Sequence, residues 1–325
     1  MDPTDPLADT AAPRYAIESD EEEDEPNPLR TSVAAPAKTP EIKIIGLDES
    51  THGRPLIIAS GRAGAFWARG ANLGEQQGGV YVDKIQVGLL FTPSSLSPPS
   101  SPAPITLISS PFSPLPLSLQ HPYASFVLST LRPSRVALLD TYSAPAYASE
   151  ASSHLHDAPV RFISIWAGAD EDPDREVEGT EGWKKRLDVH PFAPPNLLQS
   201  TTAAFLLALQ VSSLSSSPSS SPSTTNSPPT ALLLPSLQYP TPPPKALLPS
   251  SSSSSFFSGS SPEYEDHEDT WPAQLMSSIS RSLLELVGVA GANAEWKVGA
   301  RRGEGERAPP VAVRRSEVGE GGMYL

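Results

Sequence analysis

Few places in this chain carry residue types and spacings that chemistry uses. The turn Ser60-Gly61-Arg62-Ala63-Gly64 follows the apolar run Pro55 to Ala59 and leads into Ala65-Phe66-Trp67-Ala68. A glycine turn between a strand and a helix is where α/β proteins bind phosphate, because free N–H groups and the helix dipole meet there. This turn lacks the full dinucleotide fingerprint, and no G-x-x-x-x-G-K-[ST] loop occurs anywhere in the chain. It reads better as a tight turn that needs small residues for close packing. His154-Leu155-His156-Asp157 could be drawn as a metal site. Two histidines at i and i+2, without a third ligand at useful spacing, are better read as exposed polar residues. His267 lies within Glu265-Asp266-His267-Glu268-Asp269, a charge run expected to be solvated. Asp140 ends an apolar run, a common position for functional acids in α/β folds, but no partner stands near it in sequence. There is no G-x-S-x-G elbow, so the many serines read as loop material. No catalytic, cofactor-binding or metal-binding residue is assigned, and an enzyme is not expected.

The elements that would position these residues alternate between strands and helices. Strands are expected at Ile42–Ile45, Pro55–Ala59, Ile105–Ile108, Val136–Asp140, Val160–Trp166 and Ala231–Leu234, with one long strand from Tyr81 to Phe91. Tyr123, Phe126, Val127, Leu128 and Leu131 recur at helical spacing, with Pro133 just past the end. A second helix starts near Ser200 or Thr201 and runs through Phe205, Leu206, Leu207 and Leu209. It is apolar on nearly every side, so it is expected to be central and covered. The last helix has Thr270 as cap and Pro272 in its first turn. Its apolar face is Leu275, Met276, Ile279, Leu283, Leu286 and Val287, and it ends at Gly288. This alternation predicts an α/β domain with a mainly parallel or mixed sheet and helices on its faces.

Composition sets the limits around that domain. The chain has 325 residues, 38 prolines, no cysteine and a formal net charge of −14. The absence of cysteine removes disulfides, thiolate catalysis and zinc–thiolate sites together. The acidic balance, with no basic stripe to displace counterions, argues against DNA or RNA as partner. The first residues lack a signal-peptide pattern, and the most apolar run, Ala203 to Val211, is too short to span a bilayer. A cytoplasmic protein, nuclear as well, is the expectation. Residues 1–40 read as a disordered acidic arm carrying Glu18-Ser19-Asp20-Glu21-Glu22-Glu23-Asp24-Glu25. The α/β domain is expected over 41–298, with Ser/Pro-rich disordered insertions at about 92–104, 212–228 and 249–269. Residues 299–325 read as a glycine-rich, charged and mobile tail.

That tail ends in Met323-Tyr324-Leu325. Hydrophobic-Tyr-X with a free carboxylate is the ending that proteasome-binding factors insert between α-ring subunits, and capture of a terminal carboxylate is an established recognition mode. Three internal stretches carry a matching resemblance. Pro55 through Phe66 resembles the strand-turn-helix near the start of the proteasome assembly chaperone 1 family. Val136 through Tyr142, followed by Tyr147-Ala148-Ser149-Glu150, looks like that family's central strand and its Tyr-x-[ST]-Glu continuation. Pro194-Pro195-Asn196-Leu197-Leu198-Gln199, leading to Ala203-Ala204-Phe205-Leu206, is similar to its Pro-Asn entry into an Ala-Ala helix. The resemblance spans about residues 42–290 plus the tail, and the long Ser/Pro insertions depart from it.

The resemblance implies a three-layer α/β fold, a heterodimer with the related assembly chaperone 2, and binding to the 20S proteasome α-ring during assembly. It assigns partner binding to Met323, Tyr324 and Leu325. Leu325 would supply the carboxylate for a pocket lysine, Tyr324 would pack and hydrogen-bond at the pocket wall, and Met323 would fill an apolar groove. Such a chaperone orders α-subunits and blocks early docking of activators that use the same pockets. Two other readings use the same residues differently. One is a nucleotide-binding or hydrolytic α/β enzyme built on Gly61 and Asp140, and the other is a largely disordered scaffold. A proteasome-activating ATPase shares the ending but is excluded by the missing phosphate loop.

Overall fold

The computed structural model describes residues 40–47, 51–93, 102–111, 114–148, 157–165, 181–215, 228–247, 269–289 and 295–297. The expected acidic arm, most of the three Ser/Pro insertions, His154, His156, His267 and the tail with Met323, Tyr324 and Leu325 lie outside those residues. The fold is that of the unit beginning at Glu41.

In chain order the elements are β1 (Ile42–Ile45), β2 (Leu56–Ser60), α1 (Gly61–Ala68), β3 (Gln76–Val82), β4 (Ile85–Phe91), β5 (Ile105–Ser109) and α2 (Leu117–Leu131). They continue with β6 (Val136–Ser143), β7 (Arg161–Ser164), α3 (Glu181–Leu187), β8 (His190–Pro191), α4 (Thr201–Ser215), β9 (Thr230–Ser236) and α5 (Ala273–Leu286). The strands form one sheet in the order β1-β3-β4-β5-β2-β6-β9-β7-β8. Its centre, β5-β2-β6-β9, is parallel, and antiparallel strands flank it on both sides.

The central strands are short runs of Leu, Ile, Val and Ala buried along their length, so both faces must be covered. Alternation assigns the faces. Ile57, Ala59, Ala137 and Leu139 point to a layer in which Met276, Ile279 and Leu283 of α5, Trp67 of α1 and Trp183 of α3 are buried. Leu56, Ile58, Val136 and Leu138 point the other way, toward Tyr123 and Val127 of α2 and Phe205 of α4. The result is a three-layer α/β domain. Helix α1 lies so close to β2 that a Cβ on Gly64 would stand 2.4 Å from the Ala59 carbonyl oxygen.

Several expectations are corrected. The single strand from Tyr81 to Phe91 is a hairpin: β3 and β4 pair antiparallel across Asp83-Lys84, whose φ values are 48° and 73°. Two consecutive left-handed residues suit the strand twist of a two-residue hairpin loop. The turn is held from outside, because the Glu41 N–H donates to Asp83 Oδ1 at 3.0 Å and the Asp83 N–H donates to Glu41 O at 3.0 Å. Helix α4 is not central. It belongs to an outer layer, with Leu207 54% and Val211 53% exposed. It also continues to Ser215, so the insertion expected from 212 begins inside a helix. Pro272, not Thr270, is the N-cap of α5. Helix α3 and strand β8 were not anticipated. Among the described residues no helix is long and apolar enough to cross a membrane.

Residues 295–297 close the layer over α1 and α5. Trp296 is 4% exposed, stacks on Phe66 with ring centroids 5.3 Å apart, and donates from Nε1 to Trp67 O at 2.9 Å. The Lys297 N–H donates to Gly70 O at 2.9 Å, and a Cβ on Gly70 would stand 2.5 Å from the Trp296 ring. Trp67 in turn donates from Nε1 to Ser280 Oγ at 2.7 Å. Removing a buried tryptophan from such a position costs about 3–5 kcal/mol. Trp296→Ala is therefore expected to lower the urea midpoint by that equivalent with an unchanged slope. An unchanged midpoint would show that the segment does not dock in solution.

Candidate functional site

The sequence singled out Gly61 and Asp140, and the structure brings them together. Ser60, at the carboxyl end of β2, pairs in register with Ser109 of β5. On its other side Ala59 pairs with Leu139, which sets Asp140 of β6 beside Ser60. Ser109, Ser60 and Asp140 thus form a polar row across three adjacent parallel strands, and all three are buried. Thr202 donates to Ser60 Oγ at 3.0 Å, and Ser109 donates to Tyr123 Oη at 3.3 Å. Gly61, with φ of 55°, turns the chain into α1 so close that its Cβ position lies 3.8 Å from Asp140 Oδ1.

Ligands of open α/β sheets bind at the carboxyl ends of the strands, where the order of connections reverses. Here that place is filled by the protein's own side chains. Tyr123 and Phe205 are both fully buried and meet edge-to-face at 5.8 Å. Gly88 of β4 makes room for the phenol, since a Cβ there would stand 2.9 Å from Tyr123 Oη. Burial pushes the Tyr123 phenol well above its ordinary range, so it stays neutral.

Asp140 is the one buried carboxyl of the row. Burial pushes it up to about 6, opposed by the Ser200 hydroxyl, the Thr141 N–H and the Thr202 hydroxyl. The Thr141 N–H bond to Oδ1 is well formed at 2.7 Å. Asp140 Oδ2 and Ser200 Oγ are both shut off from solvent without a well-aligned hydrogen-bond partner, so the effect of Ser200 reflects proximity rather than a formed bond. The single proton of Thr202 is given to Ser60, which makes its pull the weakest of the three. Among the described residues no His, Lys or Arg joins these hydrogen bonds, and the Asp140 carboxyl makes no well-aligned bond to a neighbouring hydroxyl, the contact that would activate a nucleophile. Sequence reasoning marked Ser200 only as a helix cap and missed the roles of Ser60, Ser109, Tyr123 and Thr202.

The remaining candidates separate. Arg62 of the glycine turn stands 3.8 Å from Asp269. The Asp269 carboxylate, expected to be solvated, is buried and accepts from Ser236 Oγ at 2.7 Å and the Leu237 N–H at 3.1 Å. Asp157 is exposed. No group of three or more His, Cys, Asp or Glu side chains comes together among the described residues.

Two of the motif stretches clasp each other. The Ala148 N–H donates to Asn196 Oδ1 at 2.7 Å, and Asn196 Nδ2 donates to Ala148 O at 3.0 Å and Ala193 O at 2.9 Å. The Ala193 N–H donates to Tyr147 Oη at 3.2 Å. The Arg161 guanidinium lies 3.7 Å from the centroid of the Tyr147 ring, and Tyr142 and Phe192 pack edge-to-face against that ring. The clasp is built from partly exposed residues and presents Ala193, Pro194, Pro195 and Leu197 outward; Leu197 is 80% exposed. It is an ordered surface rather than a pocket.

The raised Asp140 value has a direction that can be checked. A carboxyl that titrates higher folded than unfolded stabilises the fold only while protonated, and that contribution is lost as pH rises from about 4 through about 6. Asp140→Asn is expected to be more stable than the wild type by about 1–3 kcal/mol at pH 7.5, with the difference vanishing near pH 4. Paired urea titrations across that range measure it. A difference that does not change with pH would mean that Asp140 is solvated.

No protein-family model matches the chain, and no curated protein matches it. The solved structures that are similar to this chain include two at low identity. One is a protein of unknown function from Thermoplasma acidophilum, with a TM-score of 0.35 and 11% identity, covering 75% of this chain and 88% of that one. The other is PbaA of Pyrococcus furiosus, an archaeal homolog of proteasome-assembly chaperone, with a TM-score of 0.35 and 9% identity, covering 61% of this chain and 77% of that one.

Proposed function

We propose that this chain is a non-enzymatic chaperone of 20S proteasome assembly. In this reading it pairs with an assembly chaperone 2 partner, binds the outer face of the α-ring, and inserts Met323-Tyr324-Leu325 into a pocket between α-subunits. The observation that carries the reading is the clasp. The stretches that resemble the assembly chaperone 1 family, Tyr147-Ala148 and Pro194-Pro195-Asn196, spend their polar groups on each other and build an ordered surface. The place where an α/β enzyme would hold its ligand is packed with Tyr123, Phe205 and Thr202. An ordered outer surface together with a filled strand end supports this reading over a nucleotide-dependent or hydrolytic enzyme.

Two further features fit a partnered chain. Helices α2 and α4 contain no Asp, Glu, Lys or Arg, and α4 exposes Leu207 and Val211. Soluble surfaces usually carry charge in such places. The isolated chain is therefore expected to self-associate and to become monodisperse on co-expression with its partner. A stable monomer at high concentration, unchanged by the partner, would contradict this.

The tail has an energetic constraint. Burying Met323 contributes about 1.5–3 kcal/mol, and a charge-assisted bond to the Leu325 carboxylate contributes about 1.5–3 kcal/mol. Ordering three residues costs about 1–2 kcal/mol each, so the tripeptide alone binds weakly. The domain must touch the ring as well. Leu325 lies 28 residues beyond Lys297, the last residue of the Trp296 anchor, a reach of at most about 100 Å. That length sets the effective concentration of the tail. Tyr324→Ala, or a few residues added after Leu325, is expected to weaken α-ring binding at least tenfold without altering the thermal transition or partner pairing. Ring binding indifferent to both changes would remove the tail from the mechanism.

A further inference from the structure

Between β9 and the residues leading to α5, the chain runs Leu237-Gln238-Tyr239-Pro240-Thr241-Pro242-Pro243-Pro244-Lys245 without helix or strand. Pro240, Pro242, Pro243 and Pro244 have φ held near −65° by their rings. Tyr239, Thr241, Pro242 and Pro243 each precede a proline, which biases them to extended ψ. Covalent structure therefore favours a polyproline II helix over this stretch, with about three residues per turn and a rise of about 3.1 Å per residue.

Such a helix has three edges, here 239/242/245, 240/243 and 241/244. Tyr239, Pro242 and Lys245 are all exposed, Tyr239 by 71%. On the second edge Pro240 is exposed and Pro243 half-buried; on the third Thr241 is exposed and Pro244 half-buried. Residues 239–247 make no hydrogen bond to other described residues, so nothing must break before a partner pairs with them. Asp269 holds the start through Ser236 and Leu237, and Leu247 packs against the α2/α4 core at the far end. The ring constraints and the two anchored ends thus reduce the ordering entropy the segment must lose on binding.

We propose that Tyr239–Lys245 is a docking site for an SH3-type domain. Tyr239-Pro240 and Pro242-Pro243 would sit between the aromatic side chains of its groove, and Lys245 would meet the acidic patch at the groove's end. The lysine decides this assignment. P-x-x-P spacing occurs at Pro3–Pro6, Pro99–Pro102, Pro111–Pro114, Pro191–Pro194 and Pro240–Pro243. Only the last has a Lys or Arg two residues beyond its second proline, and none has one three residues before its first. A polyproline helix reads nearly alike in both directions, so a terminal cation fixes its orientation and separates an acidic-rimmed SH3 groove from other aromatic grooves. Lys245 is exposed and pairs with no acid among the described residues. In a chain of net charge −14 it is a local cation available to a partner.

The test uses the full-length protein titrated into isotope-labelled SH3 domains that prefer a basic residue at the carboxyl end of their ligands. A WW domain and an EVH1 domain serve as comparison arms, and shifts of the groove resonances are followed. Saturable binding to at least one SH3 domain is expected. Pro240→Ala combined with Pro243→Ala should abolish it, Lys245→Glu should weaken it at least tenfold, and Tyr324→Ala should leave it unchanged. Failure of every SH3 domain to bind, survival of binding in these variants, or binding of the WW or EVH1 domain with no dependence on Lys245 would overturn the assignment.

Discussion

Leu56, Ile57, Ile58 and Ala59 of β2 are each no more than 1% exposed, and a parallel strand buried on both sides cannot exist in water without helices on both faces. The rest of the arrangement follows from keeping it covered. Gly64 lets α1 settle against Ala59 on one face, while Tyr123 and Phe205 cover Leu56 and Ile58 on the other. The flanking antiparallel strands extend the sheet beyond the parallel core, and the hairpin at Asp83-Lys84 is tied to the chain leading into β1.

Covering β2 also determines what its carboxyl end can do. The polar row Ser109–Ser60–Asp140 sits under α2 and α4, and its hydroxyls are satisfied by Tyr123 and Thr202. The exception is Asp140, whose Oδ2 lacks an aligned partner. An unpaired buried carboxyl is destabilising above its own pKa. Its position beside the Gly61 turn nevertheless ties β6, β2 and the start of α4 into one polar seam. The seam resembles the floor of an enzyme site in placement, but Tyr123 and Phe205 pack over it, and among the described residues no His, Lys or Arg joins its hydrogen bonds.

The clasp of Tyr147, Ala148 and Asn196, the segment Tyr239–Lys245 and the α2/α4 exterior are all formed by residues that the core does not need. The Trp296 anchor belongs to the core, with its ring stacked on Phe66 and its Nε1 donating to Trp67 O.

The sequence by itself determined the elements whose signal is local. Central strands announce themselves as short apolar runs, and α5 by one apolar stripe closed at Gly288, where φ is 83°. The proline rings of 240–244 likewise favour an extended backbone there without help from distant contacts. Tertiary structure decided everything that depends on partners far along the chain. Asp83-Lys84 makes a hairpin turn without glycine because Glu41 holds it from 42 residues away. Asp269 stands in a run of acids yet is buried, because Ser236 and Leu237 supply its donors. The all-round apolar pattern of α4 could not say which side would be covered, since periodicity reports burial only when one face differs from another. Ser60 and Thr202 are 142 residues apart and show no common pattern in sequence. The register of three parallel strands sets Ser60 beside Asp140 and Ser109, and the packing of α4 over their ends brings Thr202 to them, because strand pairing and helix docking are long-range choices made by the whole core.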